Sequence, residues 1–281
     1  MTWTRKSAWA LILGAVAASS FCLLRYRQEQ QWLAGKAQDI VGQANAQTRR
    51  EKVMALRDYV RQHVSYRGVP QDGRPFLRDS AYETLKSGRG WCGEAARALV
   101  NLTARLGISG QRVNLYGRVN HVVTEVEIEP GTFALVDPQD NPDTNPYLDR
   151  KDWTLDEVIA DPSSPFKDCS NLNLQRVPLL NAVVQRVRLR ASWFTWTLEN
   201  PWLILAQVFF LVFTLASLAM LLDKVLLRIY ASRLGVSVSR GNAGSASPVA
   251  GRLWWSHCWR PFGPSHGSSE ARDSTLRQPR G

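Results

Sequence analysis

The chain has 281 residues, of which 44% are hydrophobic, and a formal net charge of +11, which suits one mid-sized domain with extensions. The positive charge is concentrated near the C-terminal end, since residues 25–200 hold 24 Lys/Arg and 21 Asp/Glu whereas residues 223–281 hold 9 Lys/Arg and 3 Asp/Glu. Four scattered cysteines exclude a disulfide framework, and without zinc-finger spacing or a basic helix-turn-helix pattern we expect no nucleic-acid partner.

An uncharged run of 17 residues at 8–24 follows Arg5 and Lys6. This length is at the short end for crossing a hydrocarbon core of about 30 Å, and the small residues in the run also permit cleavage of a signal peptide. We favour a retained anchor because arginines follow the run immediately, as is typical of membrane boundaries. Residues 1–25 are therefore assigned as an N-terminal transmembrane anchor or signal sequence.

Residues 28–62 are polar and helix-prone, with apolar residues at helical spacing. Glycines and prolines at 68–75 then predict an irregular loop. Ser80 and Glu83 form a capping-box pattern, in which each side chain accepts the backbone N–H of the other residue. This pattern predicts a short helix that ends at Gly88.

The most informative block reads Gly88-Arg-Gly-Trp-Cys-Gly-Glu-Ala-Ala-Arg97. Two glycines break the chain just before Cys92, and apolar residues then recur at helical spacing until Gly107. Cys92 is therefore predicted in the first turn of a helix, where backbone N–H groups and the helix dipole favour a negative charge. That position suits the thiolate that a cysteine nucleophile requires, although a small buried core cysteine is the alternative interpretation.

Three segments rich in β-branched and other apolar residues predict strands at 111–116, 121–128 and 132–136. The turn at 129–131 joins the last two into a hairpin whose paired residue numbers sum to about 258. This register places His121 across from Asp137, with Cβ atoms about 5 Å apart, and a slip of two residues would leave them diagonal neighbours. A carboxylate beside an imidazole fixes its tautomer and orientation, so His121 is a candidate base for the thiol of Cys92. Singly, a strand histidine is more often structural and an aspartate before proline often only ends a strand.

Residues 139–175 contain no comparable motif, apart from a short helix predicted after Asp152. Asn141, Asp143 and Asp149 lack the spacing and the glycine of an EF-hand, so we expect a solvated loop rather than a calcium site.

Trp202 to Leu222 is an uncharged stretch of 21 residues, too evenly apolar for a core helix of that length, and it predicts a transmembrane helix at 201–223. Trp193 and Trp196 precede it, as expected for indole rings at a membrane interface. Residues 174–190 alternate basic and apolar side chains and predict an amphipathic lead-in to this span.

The segment at 224–281 is basic and rich in glycine and serine, and we expect it to be a largely disordered tail. Its His257, Cys258 and His266 are too few for a metal site. Basic residues at both ends of the chain favour a topology with both ends in the cytoplasm of a bacterial inner or plasma membrane. The region at 26–200 would then be periplasmic or extracellular, with membrane lipid as a partner.

The middle of the chain, from about Val53 to about Asp137, resembles the transglutaminase-like superfamily, which has a papain-like fold, and in particular a membrane-anchored bacterial-type member. The motifs that carry the resemblance are Leu56-Arg-Asp-Tyr-Val60 with Tyr66, Ala81-Tyr-Glu-Thr-Leu85, Gly90-Trp-Cys-Gly-Glu94, Leu106-Gly-Ile108, Asn120-His-Val-Val123 and Val136-Asp-Pro138. The resemblance implies an α+β fold in which N-terminal helices pack on an antiparallel sheet. We assign the domain to 26–200, with its core at 53–138.

The resemblance also implies Cys92 as the nucleophile, His121 as the base and Asp137 as the orienting acid of a catalytic triad. Tyr66 matches an upstream aromatic residue that helps to bind the oxyanion, beside the backbone N–H of Cys92. No cofactor and no metal is implied. His121 is followed by Val122 rather than by the Ala-Trp pair of many members, which leaves the substrate groove undefined.

Three functions are compatible with these features. The first is a membrane-anchored cysteine enzyme, a hydrolase or acyltransferase, that acts on amide bonds of a peptide or protein substrate. The second is a non-catalytic transglutaminase-like module that recruits partners at the membrane, and the third is a membrane assembly factor whose spans are the functional part. We favour the enzyme, because a binding module has no need of all three groups of a triad. The identity of protein partners is not predicted by the sequence.

Overall fold

The computed structural model describes residues 2–66, 79–171 and 193–233. The helices of this part are α1 (Thr2–Gln43), α2 (Arg49–His63), α3 (Ala81–Ser87), α4 (Cys92–Arg105), α5 (Asn145–Leu148), α6 (Leu155–Ala160), α7 (Trp193–Leu198) and α8 (Pro201–Arg233). The strands are β1 (Gly110–Gly117), β2 (His121–Glu129), β3 (Thr132–Val136) and β4 (Phe166–Ser170). The predicted loop at 68–75, the lead-in at 174–190 and the tail beyond residue 233 lie outside the described residues.

The helix-prone stretch at 28–62 is two helices rather than one. Asn45 adopts a left-handed backbone conformation with φ of 50°, which ends the first helical run. Thr48 then starts α2 with a capping box, because its hydroxyl accepts the N–H of Glu51 at 3.2 Å and the Glu51 carboxylate accepts the N–H of Thr48 at 2.9 Å. Ser80 starts α3 in the same way, as predicted.

The four strands form one antiparallel sheet in the order β3-β2-β1-β4. The three predicted strands are confirmed, whereas β4 was not predicted. Its sequence, Phe166-Lys-Asp-Cys-Ser170, has no clear alternation of apolar and polar residues, so it carries little strand signal. Pairing with β1, with Leu115 opposite Cys169, makes it a strand.

One face of the sheet is covered by α4, whose Leu99 and Leu102 are fully buried in a core that α1 and α2 also enter. Leu33 and Ala37 of α1 are fully buried in this core. Burying a leucine side chain stabilises a fold by roughly 1.5–3 kcal/mol, so the second half of α1 belongs to the domain. The boundary assigned after residue 25 therefore falls inside one continuous helix.

The opposite face of the sheet is also covered. Tyr147 stacks on Trp153, with ring centroids 4.9 Å apart, and both pack with Val158 of α6 and Phe166 of β4 in a second core. The segment after β3 thus folds back over the sheet, and β2 and β3 lie between two apolar layers.

The N-terminal part of α1 and the start of α8 contact each other. The hydroxyl of Ser19 donates to the carbonyl oxygen of Ala206 at 3.0 Å, and the Phe21 ring meets the Trp202 ring edge-on at 6.1 Å. Trp202 Nε1 donates to Glu29 Oε1 at 2.9 Å. Because residues later in α1 contact residues earlier in α8, the two helices run antiparallel.

Both helices are long and apolar enough to cross a membrane, over Ser7–Gln43 and Pro201–Leu226. Many of the apolar side chains of α8 are exposed, including those of Phe210 and Leu226. A continuous apolar surface of this kind is unusual on a soluble monomer and is covered by lipid or protein in most cases.

Candidate active site

Cys92 is the first residue of α4, and its thiol is free and partly exposed. Trp91 precedes it in an extended conformation, and Glu94 Oε2 accepts the backbone N–H of Trp91 at 3.3 Å. The first N–H groups of a helix have no partner within that helix and, together with the dipole, attract anions. The structure therefore has Cys92 at the start of a helix, as predicted.

Gly90 is needed for the approach of the chain to Cys92. A Cβ atom on Gly90 would lie 2.8 Å from the Cβ of Glu94, a distance that real Cβ atoms do not tolerate. Backbone bonds hold the same segment, because the N–H of Ser65 donates to the carbonyl of Gly88 at 2.9 Å and the N–H of Gly90 donates to that of Ser65 at 3.3 Å. The end of α2 thus fixes the loop that leads into α4.

His121 and Asp137 are in direct contact, through Nε2 and Oδ2 at 2.8 Å. Both are buried, with 3% and 2% of their surface exposed. The predicted hairpin register was wrong by two, because paired residues of β2 and β3 sum to 260, as in Thr124 opposite Val136. His121 and Asp137 are therefore diagonal neighbours, and their side chains still reach each other.

Several groups hold the Asp137 carboxylate in place beside His121. Its Oδ1 accepts the backbone N–H of Gln139 at 3.0 Å, and its Oδ2 accepts the hydroxyl of the fully buried Thr144 at 3.3 Å. Arg61 of α2 donates through Nε to the backbone carbonyl of Asp137 at 2.8 Å. No sequence pattern indicated Thr144 or Arg61, because each acts through a contact that the tertiary fold creates.

The thiol of Cys92 is close enough to His121 to affect its pKa. Because Nε2 bonds Asp137, Nδ1 is the ring nitrogen that remains for the thiol. Burial by itself lowers the pKa of His121, but the hydrogen bonds to Asp137 and Cys92 and the charges of those groups outweigh burial and raise the pKa of His121 to about 9. A pKa of about 9 favours the imidazolium form of His121 at neutral pH.

The Cys92 and His121 side chains open onto a pocket of about 180 Å³. Its other walls include Trp91, Glu94, Asn114, Leu115, Tyr116 and Asn120. Tyr66 is not one of the described residues that line the pocket, and 65% of its surface is exposed. The structure thus brings together Cys92, His121 and Asp137 but not Tyr66, whose part in oxyanion binding stays a prediction.

Within the described residues, no group of three or more His, Cys, Asp or Glu side chains is arranged to hold a metal ion. Asn141 and Asp143 instead bond within their own loop, where Asn141 Oδ1 accepts the N–H of Asp143 at 3.0 Å. His257, Cys258 and His266 lie outside the described residues.

Comparison with protein families matches residues 34–138 to the transglutaminase-like superfamily. This stretch holds Cys92 at the start of α4, His121 at the start of β2 and Asp137 directly after β3. Residues 34–138 are a transglutaminase-like domain. Comparisons with curated proteins and with solved structures found no match.

The residues that match the transglutaminase-like superfamily, 34–138, are only part of the folded unit. The match begins inside α1 and ends just after β3, so that it leaves out α5, α6, β4, α7 and α8. The residues that cover the sheet in the second core, from Tyr147 to Cys169, lie beyond it, and so does Thr144, which bonds Asp137. The segments added after residue 138 are therefore part of the support of this site.

Proposed function

We propose that this protein is a membrane-anchored cysteine enzyme that performs acyl transfer or hydrolysis on amide or peptide bonds. The observation that carries the proposal is the buried His121, which bonds the carboxylate of Asp137 and lines an open pocket together with Cys92. In this arrangement Cys92 is the nucleophile, His121 the acid and base, and Asp137 the group that orients the imidazole.

The first half of the reaction transfers the acyl group to sulfur. The Cys92 thiolate attacks the amide carbonyl carbon and forms a carbon–sulfur bond, while the carbonyl electrons move onto oxygen. As the carbon–nitrogen bond breaks, the imidazolium of His121 gives its proton to the leaving nitrogen. A thioester on Cys92 and a free amine result, and the backbone N–H of Cys92 at the helix start is placed to bind the oxyanion.

The second half releases the acyl group. His121, now neutral, takes a proton from water or from an amine as that nucleophile attacks the thioester carbonyl, and the carbon–sulfur bond breaks. Water yields a carboxylic acid, and an amine yields a new amide. Asp137 keeps the same ring nitrogen of His121 throughout, so that the other nitrogen always faces the sulfur.

The membrane role rests on the two apolar helices. We propose that α1 and α8 span the membrane as an antiparallel pair, with the domain between them on the periplasmic or extracellular side and the basic tail in the cytoplasm. Reporter fusions after Arg190 and after Arg240 test this. The expected pattern is an external signal from the first and a cytoplasmic signal from the second, and cytoplasmic signals from both would reject the placement.

The reaction is tested by labelling the full-length chain with a thiol-directed electrophile that mimics a peptide amide. We expect fast labelling of the wild type and loss of labelling in Cys92→Ala and His121→Ala. His63→Ala is the matched control, because His63 is exposed at the end of α2 and bonds only the backbone carbonyl of Tyr59 among the hydrogen bonds of the described residues. If the wild type labels no faster than the denatured chain, the enzyme function is rejected in favour of a binding module.

A further inference from the structure

Two arginines are buried beneath the candidate active site. Arg97 of α4 has 2% of its surface exposed and Arg112 of β1 has 6%. A buried guanidinium is costly without a counter-ion, because the charge loses its hydration. Arg97 donates to the backbone carbonyl of Asp79 at 2.8 Å. This bond satisfies part of the hydrogen-bonding capacity of Arg97 but does not balance its charge.

Glu199 is the carboxylate that both arginines share. Its Oε1 lies 3.0 Å from Nε of Arg112, and its Oε2 lies 3.3 Å from Nε of Arg97. Burial lowers the pKa of Arg97, as does the charge of Arg112, whereas Glu199 raises it. Glu199 is itself buried, so the three side chains form one closed ion cluster.

Glu199 does not come from the matched transglutaminase-like domain. It lies in the short link between α7 and α8, two residues before the apolar helix begins at Pro201. Its neighbour Asn200 accepts a hydrogen bond from Gln30 of α1 at 2.9 Å. The place where both candidate membrane helices meet the domain is therefore also the place that supplies the counter-ion.

The cluster connects to Cys92 through the first turns of α4. Arg97 lies five residues after Cys92, and its NH1 is 3.8 Å from Oε1 of Glu94. Glu94 in turn accepts the N–H of Trp91 and lines the pocket. If the charge of Glu199 is removed, we expect Arg97 to move toward Glu94 and to weaken the bond between Glu94 and the backbone that leads into Cys92.

We propose that Glu199 is a positioning residue for Cys92, through which the segment leading into α8 holds the first turn of α4 in its reactive geometry. The inference rests on the proposed function of Cys92 as a nucleophile. Under this proposal the segment that leads into α8 helps to position the active-site residues, in addition to connecting the domain to the second apolar helix.

The test measures the rate of alkylation of Cys92 by iodoacetamide in the full-length chain at 25 °C. A Cys258→Ser background removes the tail thiol, and Cys22 and Cys169 are buried. Glu199→Gln is the isosteric neutral variant, and we expect it to slow alkylation at least tenfold. Arg112→Gln combined with Glu199→Gln restores charge balance, and we expect its rate to return to within about threefold of the wild type.

Two controls separate positioning from general stability. Glu129→Gln makes the same chemical change at an exposed residue at the end of β2 and should leave the rate unchanged. Leu102→Ala weakens the core on α4 and should lower the melting temperature without slowing alkylation of the folded chain.

The outcomes are distinct. If Glu199→Gln reacts at the wild-type rate, the role of Glu199 is overturned. The role is also overturned if the double variant reacts as slowly as Glu199→Gln alone, whether or not that double variant is folded. A wild-type Cys92 that reacts no faster than the denatured chain rejects the proposed function itself, whereas a fast wild type with an equally fast Glu199→Gln rejects only the positioning role.

Discussion

Replacing Asp137 with asparagine isolates the electrostatic part of the candidate triad. The substitution keeps the size of the side chain and an oxygen that can accept the N–H of His121, but it removes the negative charge. In the wild type, hydrogen bonds and charge from Asp137 and Cys92 outweigh burial and raise the pKa of His121 from 6.5 to about 9. With Asp137 neutral, burial remains and opposes the imidazolium.

The size of the effect follows from the two pKa values. The difference between about 9 and 6.5 corresponds to roughly 3 kcal/mol in favour of the imidazolium. At pH 7.5 a pKa of about 9 leaves roughly 97% of His121 protonated, whereas the ordinary value of 6.5 leaves about 10%. Cys92 still favours the imidazolium in Asp137→Asn, so the substitution should reduce the imidazolium by up to about ninefold at that pH, and alkylation of Cys92 should slow by a similar factor.

The assay is a titration of ¹⁵N-labelled histidine by NMR in the full-length chain. We expect the midpoint of His121 near pH 9 in the wild type and at a clearly lower pH in Asp137→Asn. Asp143→Asn is the matched control, because Asp143 is an exposed residue of the loop after β3 and should leave the midpoint near 9. A midpoint that stays near 9 in Asp137→Asn would refute the reasoning, since it would show that Asp137 does not sustain the charge.

Three further predictions concern stability. Because the pKa of His121 is raised in the folded chain, the contribution of His121 to stability is complete below pH 6.5 and is lost as the pH rises through about 9. The melting temperature should therefore fall between these two pH values in the wild type and not in Asp137→Asn. Gly90→Ala should lower the free energy of unfolding by about 1–3 kcal/mol, since the added Cβ meets Glu94 at 2.8 Å, and an unchanged denaturation curve would contradict this. Leu33→Ala should cost about 2–5 kcal/mol by chemical denaturation while the exposed Leu24→Ala costs little, and equal effects would mean that the second half of α1 is not part of the core.

Local sequence patterns predicted where Cys92, His121 and Asp137 lie in the fold. The glycines before Cys92 and the apolar spacing after it were enough to place the thiol at a helix start. The strand pattern was enough to bring His121 near Asp137, and the hairpin turn lies where it was predicted. The predicted sum was nevertheless two too small, because a turn centred on residue 130 gives paired numbers that sum to 260, as in Glu127 opposite Phe133. The contact survived because diagonal residues of a hairpin remain within reach.

The part of Tyr66 in oxyanion binding stays a prediction that rests on the resemblance to the superfamily. Position along the chain does not determine which side chains face a pocket. The structure leaves Tyr66 largely exposed after the bridge between Ser65 and Arg89. Only the packing of α2 against the loop before α4 decides where that ring lies.

Short-range features of the sequence were therefore enough to predict the helix start at Cys92, three of the four strands of the described residues, the two long apolar segments and the neighbourhood of His121 and Asp137. All of these depend on periodicity, turn residues and short-range pairing, which act over a few residues. Tertiary packing was needed to show that α1 runs unbroken into the core, that β4 pairs with β1, and that Arg97 and Arg112 share Glu199 as a counter-ion. Arg112 and Glu199 are 87 residues apart in the chain. Nothing in either local sequence marks such a pair, because the need for a counter-ion arises only when folding buries the charge.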